Sequence, residues 1–254
     1  MLEPGRLYAL LYLLAFIAAY FMSHDKYKKT GRVPFRPVAG LQVMDEAVGR
    51  ATEMGRAIHF TTGRGVLEAQ TFAGLDVLKY VANMAAASDT RLIVTNHRSH
   101  VYPLTVEIVR QAYVSQGKLD KYRPDDVRFI SEEQSAYVAG IMGIMEREGV
   151  VTNIMVGQFW AEGLQIAETA YKVGAIQIAG TTDGSQLPFL VVACDYTLIG
   201  EEIYAAGAYF NPDPIKVGAL MAQDVCKYIA VATMVIGSIL LTLGSDAIVE
   251  FMKL

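Results

Sequence analysis

Cysteine, histidine and an excess of either charge are what this chain lacks. Cys194 and Cys226 are its only cysteines, which excludes a disulfide framework and fits a reducing compartment. A formal net charge of −4 provides no basic surface, so nucleic acid is not an expected partner. Of the four histidines, two form the His97-x-x-His100 pair. Zinc would need further ligands there, with Glu132, Asp183 or Asp195 as candidates, and neither a metal nor a cofactor is expected. The Gly-Lys-Ser/Thr phosphate loop, the Gly-x-Gly-x-x-Gly fingerprint, the Gly-x-Ser-x-Gly elbow and the His-Glu-x-x-His helix are all missing. The usual nucleotide and hydrolase signatures therefore fail, and an enzyme is the less expected outcome.

What the chain does have is an uncharged apolar run near each end, 7–22 and 228–244. Each is near the length of a bilayer-spanning helix once its weakly polar flanks are added. For the first run a secretory signal peptide is the alternative, but no small-x-small cleavage site closes it. A buried core helix is the alternative for the second, but apolarity all round favours a lipid bilayer. Positive charge sets the orientation: Arg6 is offset by Glu3, whereas Lys26, Lys28, Lys29 and Arg32 follow the first run. Lys227 precedes the second run, and Asp246, Glu250 and Lys253 follow it. The expected segments are 1–32 (transmembrane helix and basic flank), 33–227 (a cytoplasmic domain entered through the Pro-containing linker 33–37) and 228–254 (transmembrane helix and short external tail). The protein then sits in the inner, cytoplasmic membrane with both termini outside.

Between the runs, β-rich stretches alternate with helical periodicity, the pattern of a parallel sheet with crossover helices. Strands are expected over 58–62, 91–95, 127–131, 152–156, 175–179 and 189–194. Helices are expected over 42–56, 72–87, 104–116, 132–148, 159–173 and 198–210. Only residues 180–188 separate the last two strands, too few for a crossover helix, so one of the two should be antiparallel or at an edge. The fold class is α/β: a Rossmann-like, mostly parallel sheet with flanking helices, plus one transmembrane helix at each end.

Ligands of open α/β sheets bind outside the carboxyl ends of the strands. The polar residues after the expected strands are thus the candidates: Thr62, Gly63, Arg64, Asn96, His97, Arg98 and Asp183 for binding an anion. Glycines let backbone N–H groups turn inward and arginine grips phosphate bidentately. A plain turn carrying a solvated arginine competes with this reading, as do capping roles for Ser131, Glu132, Glu133 and Asp183. His97, His100 and Asp195 are the candidates for acid and base chemistry.

The stretches 153–157, 177–181 and 193–202 resemble a prokaryotic membrane-protein family described only as a domain of unknown function. The resemblance spans nearly the whole chain and implies a cytoplasmic domain anchored by terminal helices, with no assigned catalytic residues. The expected function is a non-enzymatic, membrane-anchored subunit of a homo-oligomer, since Ala230, Gly237 and Gly244 mark one helix face on which neighbouring helices can pack. The alternatives are a ligand-binding or sensory module for a nucleotide-like anion, and an enzyme on a small or lipid-derived substrate.

Overall fold

The structure, a computed structural model, describes residues 7–31, 39–210, 212–246 and 249. The expected linker 33–37, Arg32 of the basic flank, and Glu3, Arg6, Glu250 and Lys253 lie outside the described residues. The chain divides into two units, Met1–Pro34 with Pro212–Leu254, and Phe35–Asn211.

The first unit is a pair of helices, α1 (Leu7–Thr30) and α9 (Pro214–Thr242), both long and apolar enough to cross a membrane. Asp213 starts α9 by accepting from the Ile215 N–H at 2.7 Å, with Pro214 in the first turn, where its missing N–H costs nothing. The two helices run antiparallel: Tyr12 donates to the Cys226 carbonyl, and Gly218 packs against the backbone of His24. A Cβ on Gly218 would lie 3.2 Å from His24 Cα, so only a minimal side chain permits this crossing. Gly218, Ala222 and Cys226, one turn apart and all buried, meet Ala19 and Ser23 in the small-residue contact common between membrane helices. Gly237 is also buried, while Ala230, on the same expected face, is partly exposed. Gly244 lies past the end of α9 with φ +82° and lines no helix face.

The second unit is a six-stranded, wholly parallel sheet in the order β3-β2-β1-β4-β5-β6. Its strands are β1 (Ile58–Gly63), β2 (Leu92–Asn96), β3 (Val127–Phe129), β4 (Thr152–Gln158), β5 (Ile176–Thr181) and β6 (Tyr196–Ile199). The helices are α2 (Ala39–Met54), α3 (Ala69–Ala87), α4 (Tyr102–Ser115), α5 (Gln134–Glu148), α6 (Ala161–Lys172), α7 (Leu187–Ala193) and α8 (Glu202–Phe210). Because side chains alternate along a strand, the sheet has two different faces. Ile58, Phe60, Val94, Ile154, Val156 and Ile178 form a mainly apolar layer under α2, α3, α4 and α8, with Thr152 and Asn96 hydrogen-bonded to α2 and α4 at its margins. The opposite layer, under α5, α6 and α7, mixes Met155 and Ala179 with a buried polar row of His59, Thr61, Thr95, Asn153 and Gln177.

One expected element is wrong. Residues 189–194 are not a strand: Leu187–Ala193 is the short helix α7, with Pro188 in its first turn, and β6 follows it. Seven helical residues suffice to carry the chain over the sheet, so β6 is parallel to β5 rather than antiparallel, and it is the edge strand. Leu198 belongs to β6, and the last helix of this unit begins at Glu202, not at 198.

Both ring nitrogens of His59 find partners within the buried row, whereas Asn153 Nδ2 has none among the described residues. His59 Nδ1 lies 2.8 Å from Asn153 Oδ1, which only accepts, so Nδ1 holds the proton and Nε2 accepts from the Thr95 hydroxyl at 2.9 Å. Complete burial pushes the imidazole down to about 4, against the Asn153 hydrogen bond that opposes the shift. The unfolded chain, with an ordinary histidine value near 6.5, therefore binds this proton more readily than the folded one. The stability held by neutral His59 is fully present above about pH 6.5 and is lost as the pH falls toward 4, by about 3 kcal/mol in all. We expect urea denaturation of the detergent-solubilised chain to show this loss, and His59→Gln, destabilised throughout, to show a flatter slope between pH 6.5 and 4.

Candidate functional site

Strand order reverses between β1 and β4, and this is the switch point at which open α/β sheets leave a crevice outside the strand ends. Here β1 runs on alongside β4 past its last regular pair. The Arg64 N–H donates to the Gln158 carbonyl at 2.9 Å, and Gly63, at φ +69°, lies so close that a Cβ would fall 2.1 Å from that same oxygen. No side chain fits at position 63, in either space or backbone conformation. The turn that follows delivers Arg64 over the strand ends.

Arg64 holds three elements together. Its guanidinium stacks 3.8 Å above the ring of Trp160, the chain's only tryptophan, and its Nη1 donates to Gln134 Oε1 at 3.2 Å. Gln134 in turn donates to Glu162 at 2.7 Å, and Glu162 also accepts from the Trp160 N–H at 2.9 Å. Glu162 is only 1% exposed, and these two donors are what its carboxylate rests on. Arg98, from the loop after β2, donates from Nε to the Arg64 carbonyl at 3.1 Å. Among the described residues no carboxylate lies within ion-pair distance of Arg64 or Arg98.

His97 sits beneath this layer, 1% exposed, its ring 4.8 Å from that of Tyr137. Nδ1 lies 2.8 Å from the Ser131 carbonyl and therefore carries the proton, leaving Nε2 as a lone-pair acceptor without a partner. Burial lowers its proton affinity, and the positive charges of Arg98 and Arg64 lower it further, against the Ser131 carbonyl and Glu162. The imidazole is neutral at physiological pH. Tyr137 closes the floor: its hydroxyl lies 2.5 Å from Thr61 Oγ1, which accepts from Gly63 N–H and donates to the Thr95 carbonyl.

All the strands point one way, so the helix N-termini gather at this same edge, and with them the positive ends of the helix dipoles. Glu133 caps α5 through the Ser135 and Ala136 N–H groups, at 2.9 and 2.6 Å, which hold its carboxyl below the usual range. Glu162 answers the start of α6 in the same way. The starts of α3 and α4, beside Arg64 and Arg98, have no side-chain cap. Carboxylates stand on this half as well: Glu68 directly precedes α3, and Glu132 accepts from the N–H and hydroxyl of Ser99 ahead of α4, at 3.0 and 2.6 Å.

The other sequence candidates are dispersed. Thr62 is buried at the end of β1. Asn96 turns inward, accepting from Thr105 and donating to the Arg128 carbonyl, and so ties β2 to α4 and β3. Asp183 accepts from the N–H and hydroxyl of Ser185, which hold its carboxyl below the usual range, in the capping role that competed with function from the start. His100 is exposed on its loop, apart from the buried Nε2 of His97, and among the described residues no group of three His, Cys, Asp or Glu side chains could hold a metal ion. Asp195 is misplaced by the sequence reading. Since β6 starts after it, Asp195 lies at the amino end of the sheet, accepting from the Gln177 N–H at 2.8 Å, and cannot join His97 or His100 at the carboxyl edge. Its neighbour Cys194 is inert, burial pushing the thiol up to about 12.

Sequence reasoning missed Gln70, Gln134, Trp160 and Glu162. Gln70, in the first turn of α3, donates to the Gly157 carbonyl and to Thr181, and accepts from Thr182 at 2.5 Å. The same turn holds two buried, unpartnered oxygens, Glu68 Oε1 and Thr71 Oγ1. A sequence signal existed for Glu68: Gly63-x-Gly65-x-x-Glu68 is the dinucleotide fingerprint with its third glycine replaced by a carboxylate.

A family model described as Domain of unknown function (DUF6754) matches residues 1–252, and the chain belongs to that family. No curated protein and no solved structure matches it.

Proposed function

We propose that this member of the family is a membrane-anchored binding module that takes a nucleotide-like anion at the carboxyl edge of its sheet, between β1 and β2. One observation carries the reading: Arg64 and Arg98, neither of them ion-paired among the described residues, are hydrogen-bonded together at the carboxyl edge, Arg64 on the strand that borders the topological switch point. Charge-assisted contacts to two guanidinium groups suit phosphate oxygens. Catalysis has less support, because Asp195, the expected partner of the histidines, lies at the other edge. We further propose that α1 and α9 lie in the cytoplasmic membrane with the α/β domain inside, from the bias of Lys26, Lys28, Lys29 and Arg32.

A homo-oligomeric scaffold is the second reading. The exposed side chains Phe189, Val191 and Val192 on α7 and Tyr196 and Ile199 on the edge strand β6 favour it, since an apolar edge strand invites a further copy.

Three outcomes are expected. Inorganic phosphate and nucleoside phosphates raise the melting temperature of the detergent-solubilised chain, and Arg64→Ala or Arg98→Ala weakens binding by about tenfold or more; a panel without any response removes the binding reading. Cysteine introduced at Lys172, an exposed position on α6, is labelled by impermeant maleimide only after cells are opened, and labelling of intact cells reverses the orientation. Mass photometry finds more than one chain per particle if the scaffold reading holds, and a single chain per particle ends it.

A further inference from the structure

We propose that the ligand carries a hydroxyl beside its phosphate, and that His97 Nε2 accepts the hydrogen of that hydroxyl while Arg64 and Arg98 hold the phosphate; this rests on the anion-binding reading above. The argument starts from what the site leaves unpaired. With Nδ1 pinned to the Ser131 carbonyl, His97 offers a lone pair at Nε2, and that atom is buried without a partner. The groups around it are otherwise engaged. Arg64 donates to Gln134, Arg98 to the Arg64 carbonyl, and the Tyr137 hydroxyl is occupied with Thr61; Glu133 and Glu162, the nearby carboxylates, only accept. Glu68 Oε1, in the turn after Arg64, is likewise an acceptor without a donor.

A fully ionised phosphate brings acceptors only, so it satisfies the arginines and leaves these atoms unpaired. A phosphate ester with free hydroxyls answers both demands. A site built to receive a hydroxyl discriminates strongly against a ligand that lacks it, because the protein's own buried polar atom is then left unpaired.

Arg64, whose charge acts on His97, has its side chain held by one stacking contact and one hydrogen bond, at 3.8 and 3.2 Å. Phosphate competes for the guanidinium that now rests on Trp160. Trp160 is half-exposed and unique in the chain, so its emission reports whether Arg64 stays or leaves. Two sources share this ligand chemistry: a soluble nucleotide or sugar phosphate, and a phosphorylated inositol headgroup in the bilayer that anchors the protein.

The test is a titration of Trp160 emission in the full chain in detergent micelles, using two matched pairs. The soluble pair is adenosine monophosphate and its 2′,3′-dideoxy analogue; the lipid pair is phosphatidylinositol phosphate and phosphatidic acid. We expect the hydroxyl-bearing member of one pair to bind at least about tenfold more tightly than its match, and the pair that responds identifies the source. His97→Asn, which keeps a donor for the Ser131 carbonyl but ends short of Nε2, should bring the two members to equal affinity with phosphate binding retained. His97→Gln, whose longer amide reaches toward the Nε2 position, should recover part of the preference. Equal affinities in the wild type, or a preference that survives in His97→Asn, overturn the hydroxyl assignment and leave anion binding standing. Silence toward all four ligands, in emission and in melting temperature alike, overturns both.

Discussion

The common direction of the six strands is the constraint from which the rest of the second unit follows. Parallel strands need a crossover each time, and each crossover returns its helix so that the N-terminus faces the edge where the strands end. Positive dipole ends, strand-end loops and glycine turns are therefore gathered at one edge, while helix C-termini and strand starts occupy the other. The basic and acidic side chains sort accordingly. At the amino edge Lys118 donates to the last carbonyls of α3, at Ala86 and Ala87, and Arg56 donates to Gly149 just past α5, so these cations serve helix ends. Arg91, between Asp126 and Glu148, ties β2 to β3 and α5 at the same edge. Arg64 and Arg98 at the carboxyl edge serve no helix C-terminus and meet no carboxylate within ion-pair distance among the described residues; Arg64 rests on Trp160 and Gln134, and Arg98 on the Arg64 carbonyl.

The alternation of strands and helices was readable because β-branched runs such as 58–62 and 152–156 are flanked by long helical periods, and two-sided burial makes strands of a parallel sheet uniformly apolar. The failure at 189–194 has the same origin. Phe189, Leu190, Val191 and Val192 have the composition of a buried strand, yet only Leu190 of these is buried, and Pro188 suits the opening of a helix. Periodicity over so short a run cannot separate the two, and the error carried Asp195 to the wrong edge of the sheet.

The site was half legible for a related reason. Arg64, His97 and Arg98 directly follow strands, so sequence order alone brings them to one edge. Their partners do not advertise themselves. Gln134 is 70 positions from Arg64, and Glu162 is 28 from Gln134, both at helix starts where a polar residue is ordinarily explained by capping. Only the crossover geometry that lays α5 and α6 over β1 and β4 joins them into one network. The terminal helices show the complementary limit. Apolar length was readable, but that Gly218 packs on the backbone of His24 is a property of two segments far apart in sequence.

Glu68 shows how far the likeness to a dinucleotide fold extends. The strand order matches the doubly wound arrangement, and the turn after β1 has two of the three fingerprint glycines. In the third place a carboxylate leans back over the first turn, its Oε1 3.0 Å from where a Cβ of Gly65 would stand, with Thr71 Oγ1 2.4 Å from the same point. Those are the positions where a diphosphate would meet the helix N-terminus in a dinucleotide site, and here the Glu68 and Thr71 side chains fill them. In the reading proposed above, a phosphate lies by the two arginines rather than in the α3 turn, whose unpartnered oxygens, Glu68 Oε1 and Thr71 Oγ1, face a donor instead. In that reading the same carboxylate that removes the fingerprint separates a phosphate-binding half of the site from a hydroxyl-binding half.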